Sequence, residues 1–372
     1  MIKAFKYRLY PNSKQCLWLS KNFGCCRFVF NQALHWRSAA YAADGTSLSY
    51  SDTNKALTQV KHFYPWLYEA DSAALQMALQ HLDAAFKNFF EGRANYPHFK
   101  SKHSRQSYST PCNGGQVGIL DGAVHLPKIH AVKADIHRLP LKGSEITSAT
   151  VSMEPDGRYY VSITCECPEP HIGQPVDESK AIGLDMSMEH FFVDSNGDHE
   201  DLPHFYRKSE AVLAREQAKL SHMRKGSNNY KKQKRRIARI HAKIKHQRAD
   251  WLHKLSYNLV QDYDVICIED LNMKGMSRGL HLGKSVHDLG WRIFVSMLEY
   301  KCRIFGKVLI KVDCFYPSSK TCRSCGYVHK NLQLSDRLYV CPECGNLMDR
   351  DWQAAMNILD DGIRIYRSQM AA

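Results

Sequence analysis

The feature that most constrains this chain is a quartet of cysteines near its C-terminal end, in TCRSCGYVHKNLQLSDRLYVCPECG. Cys322 and Cys325 stand two residues apart, Cys341 and Cys344 repeat that spacing, and fifteen residues separate the pairs. Two C-x-x-C-G knuckles at this distance predict a four-thiolate, tetrahedral zinc site, with Gly326 and Gly345 relieving the turns. A ribbon this small cannot bury a core of its own and folds around the metal. Four thiolates leave no open coordination position, so the zinc is structural and the chemistry must lie elsewhere. The remaining cysteines lack a second pair nearby and read as reduced; Cys16, Cys112, Cys267, Cys302 and Cys314 sit in apolar or mixed stretches, where a buried thiol is ordinary.

Lys and Arg outnumber Asp and Glu by 51 to 37 in 372 residues, a formal net charge of +14. A surplus of this sign points to a polyanionic partner, because each cation that neutralises a phosphate releases a condensed counterion. No apolar run approaches the ~20 residues that span a bilayer. The N-terminal MIKAFKYRLYPNSK enters a strand pattern directly, without a signal peptide. The expectation is a soluble, intracellular protein without a membrane partner.

Three separated stretches carry acids in unusual settings. In KAIGLDMSMEHFFVDSNGDH, an apolar strand ends at Asp185, and HFFVDSNG forms a second strand turning back through Ser195, Asn196 and Gly197. In YDVICIEDLNM, the apolar run Val265 to Ile268 ends in Glu269 and Asp270. In MDRDWQAAMNIL, Asp351 is the expected N-cap of a helix whose Ala354, Ala355 and Ile358 form an apolar face. Each acid alone has a plain structural reading as a cap, strand end or turn. Together they can converge, and carboxylates ~4 Å apart repel by about 4 kcal/mol at an effective dielectric near 20. A divalent cation removes that conflict. Oxygen-only ligands select magnesium or manganese, and two such ions suit cleavage of a phosphodiester.

The stretches GLDMSM, IEDLNMKGM, YPSSKTCRSCG and CPECGNLMDRDWQAAMNIL, in that order, resemble the nuclease core of the TnpB (OrfB) family. These are transposon-encoded, RNA-guided DNA endonucleases related to type V CRISPR effectors. The resemblance implies an α/β nuclease core of the RNase H-like, RuvC type with an inserted zinc ribbon. It also implies an N-terminal wedge-like β-barrel interrupted by a helical recognition domain. It assigns magnesium (or manganese) to Asp185, Glu269 and Asp351 as catalytic acids, with Asp349 the weaker choice in DRD and Asp270 the neighbour most easily mistaken for Glu269. The implied boundaries are 1–10 and 106–170 for the wedge, 11–105 for the helical insert, 178–319 and 347–372 for the nuclease, and 320–346 for the ribbon. Two positions depart from the family pattern: Ser187 replaces a usual Gly, and Gln353 a usual Asn.

A basic helical insert is expected at about 207–259, where Ile237, Ile240, Ile244, Trp251, Leu255 and Leu259 recur at helical spacing and GSNN breaks the run into two antiparallel helices. Lys231, Lys232, Lys234, Arg235, Arg236, Arg239 and Lys243 crowd its other faces, with no acid from Met223 to Gln247, and phosphate contact is the better reading of so one-signed a surface. Further upstream, IKAFKYRLYP alternates as a strand. Helical periodicity follows through Leu17, Leu19, Phe28, Val29 and Leu34, and again through Leu75, Ala78, Leu79, Leu82, Phe86, Phe89 and Phe90. In YPHFKSKHSRQSYS, Tyr96, Phe99, Lys100 and Lys102 interleave aromatic and basic groups suited to bases and phosphates. Short strands follow, with a hairpin around EPDG.

The resemblance implies an RNA-guided endonuclease that pairs with a guide RNA made from the transposon end and cuts double-stranded DNA next to a short motif. It implies a prokaryotic cytoplasmic protein, nucleoid-associated when bound to DNA. Two alternatives stand beside it: a guide-loaded repressor that does not cut, and a DNA-binding accessory factor of transposition. The residues give no oligomeric state.

Overall fold

The computed structural model describes residues 1–168, 175–187, 189–271, 290–333 and 336–371. The NMKGM part of one family-like stretch, the last residue of GLDMSM and the start of HDLGWRIFVSMLEYKCRIFG lie outside the described residues. The chain divides into two compact units, Met1–Pro168 and Glu169–Ala372.

The first unit begins with β1 (Ile2–Leu9), whose alternation turns Phe5, Tyr7 and Leu9 inward and the intervening basic residues outward. Asn12 and Gln15 then form a capping box that starts α1 (Ser13–Asp44). The helices α2 (Tyr50–Phe63) and α3 (Ser72–Phe90) follow. The strands β2 (Gln106–Pro111), β3 (Gly118–Leu120), β4 (Ala123–Leu126), β5 (His130–Asp135), β6 (Glu145–Met153) and β7 (Tyr159–Glu166) complete an antiparallel sheet ordered β2-β6-β7-β1-β5-β4-β3. The sheet ends at β2 and β3 without joining them, so it stays open where closure into a barrel was expected. The EPDG hairpin is present between β6 and β7. Two apolar stripes are narrower than the sequence suggested. Leu17 is 62% exposed on α1, and Phe90 is 76% exposed at the end of α3, where no further turn of helix covers it.

The second unit is built on a five-stranded sheet of β8 (Ala181–Met186), β9 (Phe192–Asp194), β10 (His199–Glu200), β11 (Val265–Glu269) and β12 (Val308–Val312), in the order β10-β9-β8-β11-β12. The strands β8, β11 and β12 are parallel, whereas β9 and β10 are antiparallel to their neighbours. Between β10 and β11 run α4 (Phe205–Ser221) and α5 (Asn228–Asp262), the latter capped by Ser227. These are the two helices expected around GSNN.

Period-two alternation sorts the sheet's faces. Ile182, Leu184, Ile266 and Ile268 pack with Leu252 and Leu259 of α5 and with Trp291, Phe294 and Leu298 of α6 (Trp291–Phe305). Val265, Cys267 and Val312 join Ile358 and Tyr366 of α7 (Arg350–Met370) on the opposite face. Among the described residues no helix is long and apolar enough to cross a membrane.

Candidate active site and metal centre

Cys267 lies opposite Gly183, and Ile268 opposite Leu184, in the parallel β8–β11 pair. One residue further along, Asp185 and Glu269 therefore emerge side by side at the strands' C-terminal ends. Alternation puts both on the face of Gly183 and Cys267, the face that α7 covers.

The third acid arrives on α7, which two glycines seat unusually close to the sheet. A Cβ at Gly183 would lie 2.2 Å from the Ala355 carbonyl oxygen, and one at Gly362 would lie 2.3 Å from Cys267 Sγ. Trp352 braces the same end, its Nε1 donating to the Ser195 carbonyl at 3.1 Å while its ring covers Gly197.

The first turn of α7 differs from the expected one. Asp349, not Asp351, is the N-cap: its Oδ1 accepts from the N–H groups of Asp351 (3.0 Å) and Trp352 (2.9 Å). The chain is still extended at Asp349, which closes β14 (Leu347–Asp349), and a cap must precede the first N–H groups it satisfies. Asp351 sits inside the first turn with its carboxylate released from capping, where the helix dipole favours negative charge.

Electrostatics register how near the acids are. Burial, and then the charges of Glu269 and Asp351, hold the Asp185 carboxyl well above the ordinary carboxylate range; Arg350 opposes this and Asp349 adds to it. Burial also raises Glu269, against the stabilising hydrogen bond that Ser318 Oγ donates to Glu269 Oε1 at 2.5 Å. Asp351 Oδ1 takes bonds from Arg350 Nη2 (2.9 Å) and Nε (3.1 Å), while Arg337 Nη1 lies 3.4 Å from Oδ2. Arg337 also pairs with Glu189 at 3.0 Å.

The three carboxylates do not form a set within 4.8 Å of one another. The oxygen-only donors and the mutual repulsion of the acids, which raises Asp185, both fit divalent cations. Asp270, with its backbone N–H bound to the Val312 carbonyl, lies one residue beyond β11, where alternation turns its side chain from the α7 face.

The four thiols converge. Cys322 Sγ is 3.6 Å from Cys344 Sγ, and Cys325 Sγ is 3.6 Å from Cys341 Sγ, close to the ~3.8 Å edge of a tetrahedron with ~2.3 Å Zn–S bonds. Gly326 (φ 74°) and Gly345 (φ 70°) hold the left-handed turns that close the two knuckles. Between the knuckles, β13 (Leu338–Val340) pairs with β14, and among the described residues Tyr339 is buried with the thiols Cys322 and Cys341, with Leu332 partly covered. Cys314, expected to be buried, is exposed beyond the end of β12.

Gln353 joins ribbon and α7. Its Oε1 accepts from Asn346 Nδ2 (3.4 Å) and the Arg323 N–H (3.5 Å), while its buried Nε2 has no partner. Asn357 Nδ2 donates to the carbonyls of Ser318 (2.7 Å) and Thr321 (2.8 Å).

Of the basic residues singled out, Lys231, Lys232, Lys234, Arg235, Arg239 and Lys243 are exposed along α5. Arg236 is exposed as well but pairs at 3.1 Å with Glu216, a fully buried carboxylate that also takes bonds from Lys219 and Gln233. In the first unit, Phe99 and Lys102 are exposed. Tyr96 and Lys100 are exposed as well, and each also makes contacts within the fold. The Tyr96 hydroxyl is 2.8 Å from Ser38 Oγ and its ring meets Phe86 and Phe89, while Lys100 Nζ lies 3.7 Å from the centre of the Phe30 ring. Ser318, Arg337 and Trp352, whose contacts cross between elements distant along the chain, and Arg350, beside Asp351, were not singled out from the sequence.

Known proteins match both ends and the middle. A family model described as "Probable transposase" (OrfB_IS605) covers residues 162–279, a Cas12f1-like TNB domain covers 291–358, and a helix-turn-helix model covers 1–46. That last region folds here as a strand and one continuous helix. A Streptomyces pristinaespiralis protein named "Putative RNA-guided DNA endonuclease" is 38% identical over 97% of this chain and 89% of its own length. Escherichia coli K12 has a relative, "Putative RNA-guided DNA endonuclease InsQ", 30% identical over 97% of this chain and 92% of its own. The solved structure titled "Cryo-EM structure of the Cas12f1-sgRNA-target DNA complex" aligns with a TM-score of 0.59 at 13% identity, over 96% of this chain and 98% of that one, a likeness of fold. With such identity sustained along nearly the whole of two relatives, the chain belongs to the TnpB (OrfB) family.

Proposed function

We propose that the protein is an RNA-guided DNA endonuclease whose site comprises Asp185, Glu269 and Asp351 around two magnesium or manganese ions. The observation that carries this reading is geometric: Asp185 and Glu269 lie at the ends of adjacent parallel strands, and α7, which packs against Gly183, carries Asp351 in its first turn. Desolvation and the charges of Glu269 and Asp351 raise the Asp185 carboxyl, in keeping with acids that converge. The strand order β10-β9-β8-β11-β12, three antiparallel strands continued by two parallel ones, supports an RNase H-like core. Relatives named as RNA-guided DNA endonucleases support the substrate class.

When bound, the ion pair would activate water and stabilise the leaving oxygen of a phosphodiester. The chain's own groups prepare the site. Ser318 fixes the rotamer of Glu269, and Trp352, Gly183 and Gly362 hold α7 so that Asp351 faces the strand ends. Arg350 and Arg337 neutralise Asp351 until a cation replaces them. The four thiols would hold structural zinc. The exposed cations of α5, together with Tyr96, Phe99, Lys100 and Lys102, would contact nucleic acid, with the guide supplying sequence specificity. A guide transcribed from the transposon end, a short motif beside the target and a cytoplasmic location complete the proposal.

All three acids are present, which disfavours a repressor that binds without cutting. The test is cleavage of a plasmid bearing the guide-matched target. Asp185→Ala, Glu269→Ala and Asp351→Ala should each abolish cutting and preserve guide-dependent binding; cutting that persists in all three refutes the assignment.

A further inference from the structure

A second cluster of metal-type ligands stands on the β9–β10 hairpin, outside the acids and the ribbon. His190 Nδ1 lies 3.0 Å from Asp201 Oδ1, and His199 Nε2 lies 3.8 Å from the same oxygen. The two imidazole rings are 4.0 Å apart between centres. One donor atom from each of the three residues falls within 4.8 Å of the other two.

We infer that His190, His199 and Asp201 form a second metal site for a first-row transition ion, zinc above all. Zinc bonded at ~2.0–2.1 Å in a tetrahedron sets its ligand atoms about 3.3 Å apart, and the two observed separations bracket that value. Imidazole nitrogens select this class of ion over magnesium or calcium, which take oxygen ligands. A hydrogen bond alone accounts for His190 and Asp201. It does not account for the second imidazole, whose ring nitrogen is turned toward the same carboxylate oxygen.

The ligands stand on a rigid base. His199 and Asp201 are two residues apart at one strand end and so share a face, while Glu200 between them accepts from Trp251 Nε1 at 3.2 Å. Phe191, next to His190, is fully buried against Trp251, Trp291 and Phe294, and its N–H donates to the Glu200 carbonyl at 2.7 Å. Three protein ligands leave a fourth position for water. An ion there would staple the segment that follows Asp185 to the end of β10. Glu189, which pairs with Arg337, belongs to that segment.

The test counts zinc on the full-length protein, expressed without a polyhistidine tag and dialysed against buffer containing micromolar zinc. The wild type should hold about two zinc ions per chain, one in the ribbon and one on the hairpin. His190→Ala/His199→Ala should hold about one, with an unchanged circular dichroism spectrum. Cobalt substitution gives a second readout: the double variant should keep the thiolate-to-cobalt absorption of the ribbon and lose the weaker bands of a nitrogen and oxygen site. Asp201→Asn, which preserves size and hydrogen bonding, should also lose the second equivalent if the double variant fails to fold. Equal metal content and equal cobalt spectra in wild type and Asp201→Asn overturn the inference. None of these readouts depends on DNA cleavage.

Discussion

Replacing Gly183 with alanine should damage stability and the nuclease site together. The new Cβ would lie 2.2 Å from the Ala355 carbonyl oxygen, 2.8 Å from the Leu359 nitrogen and 2.9 Å from Leu359 Cβ. Two of these three are backbone atoms of α7, so no side-chain rotation relieves the clash. Restoring ordinary contact requires α7 and β8 to separate by about 1 Å. Overpacking of this kind costs ~1–3 kcal/mol, a fall of about 2–12 °C in melting temperature for a domain of this size. Because α7 carries Asp351, the same 1 Å displaces one acid relative to the other two, and misplacement on that scale lowers turnover by ~10²-fold. Differential scanning fluorimetry and guide-dependent plasmid cleavage report the two effects. Gly24→Ala serves as the control: the nearest atom to its added Cβ is Arg27 Nη2 at 3.9 Å, and alanine inside a helix is favoured over glycine by ~0.5–1 kcal/mol. A Gly183→Ala protein that melts and cuts like the wild type would refute the close-packing argument.

Asp185→Asn should raise metal-free stability at neutral pH while lowering cleavage by ~10²-fold or more. Folded Asp185 binds its proton more tightly than the unfolded chain, so stability falls as pH climbs from the ordinary value near 3.8 toward the raised one, and the variant's advantage should vanish below that ordinary value. Magnesium should raise the wild-type melting temperature and leave the variant's unchanged. Cys322→Ser should cost one zinc equivalent and expose the ribbon to limited proteolysis, because so few apolar groups are buried there. Arg235→Ala/Arg239→Ala should reduce the slope of log affinity against log salt for guide RNA or target DNA by ~1–2, the mark of lost phosphate contacts; an unchanged slope would make that face merely solvated.

Local signals carried much of the fold. The alternation of β1, the apolar run of β11 and the break at GSNN were all readable because strand and helix periodicities are imposed over a few residues. The thiol spacing likewise located a cluster of four converging thiols, because its members are local in sequence. The cap was assigned to Asp351 instead of Asp349, since both aspartates of DRD satisfy the composition of a cap and only the backbone at Asp349 decides between them. Phe90 and Leu17 have the right period for a core and still face outward, because periodicity identifies a stripe and the packed neighbours set its width. Tyr96 and Lys100 are exposed as their sequence setting suggested, while their contacts with Phe86, Phe89 and Phe30 are not legible in it. Ser318, Arg337 and Trp352 could not be assigned at all, as each acts on a partner 14 or more positions away. Gly183 was visible only as a small residue inside a strand, a pattern that signals close approach without naming what approaches.

Anomalous diffraction from crystals grown with manganese decides whether Asp185, Glu269 and Asp351 share divalent cations. Two anomalous peaks ~3.5–4 Å apart are expected, ligated by all three carboxylates, with Arg337 and Arg350 withdrawn from Asp351. Manganese at saturating concentration with no peak at these acids, and Asp351 still held by its arginines, would contradict a shared site.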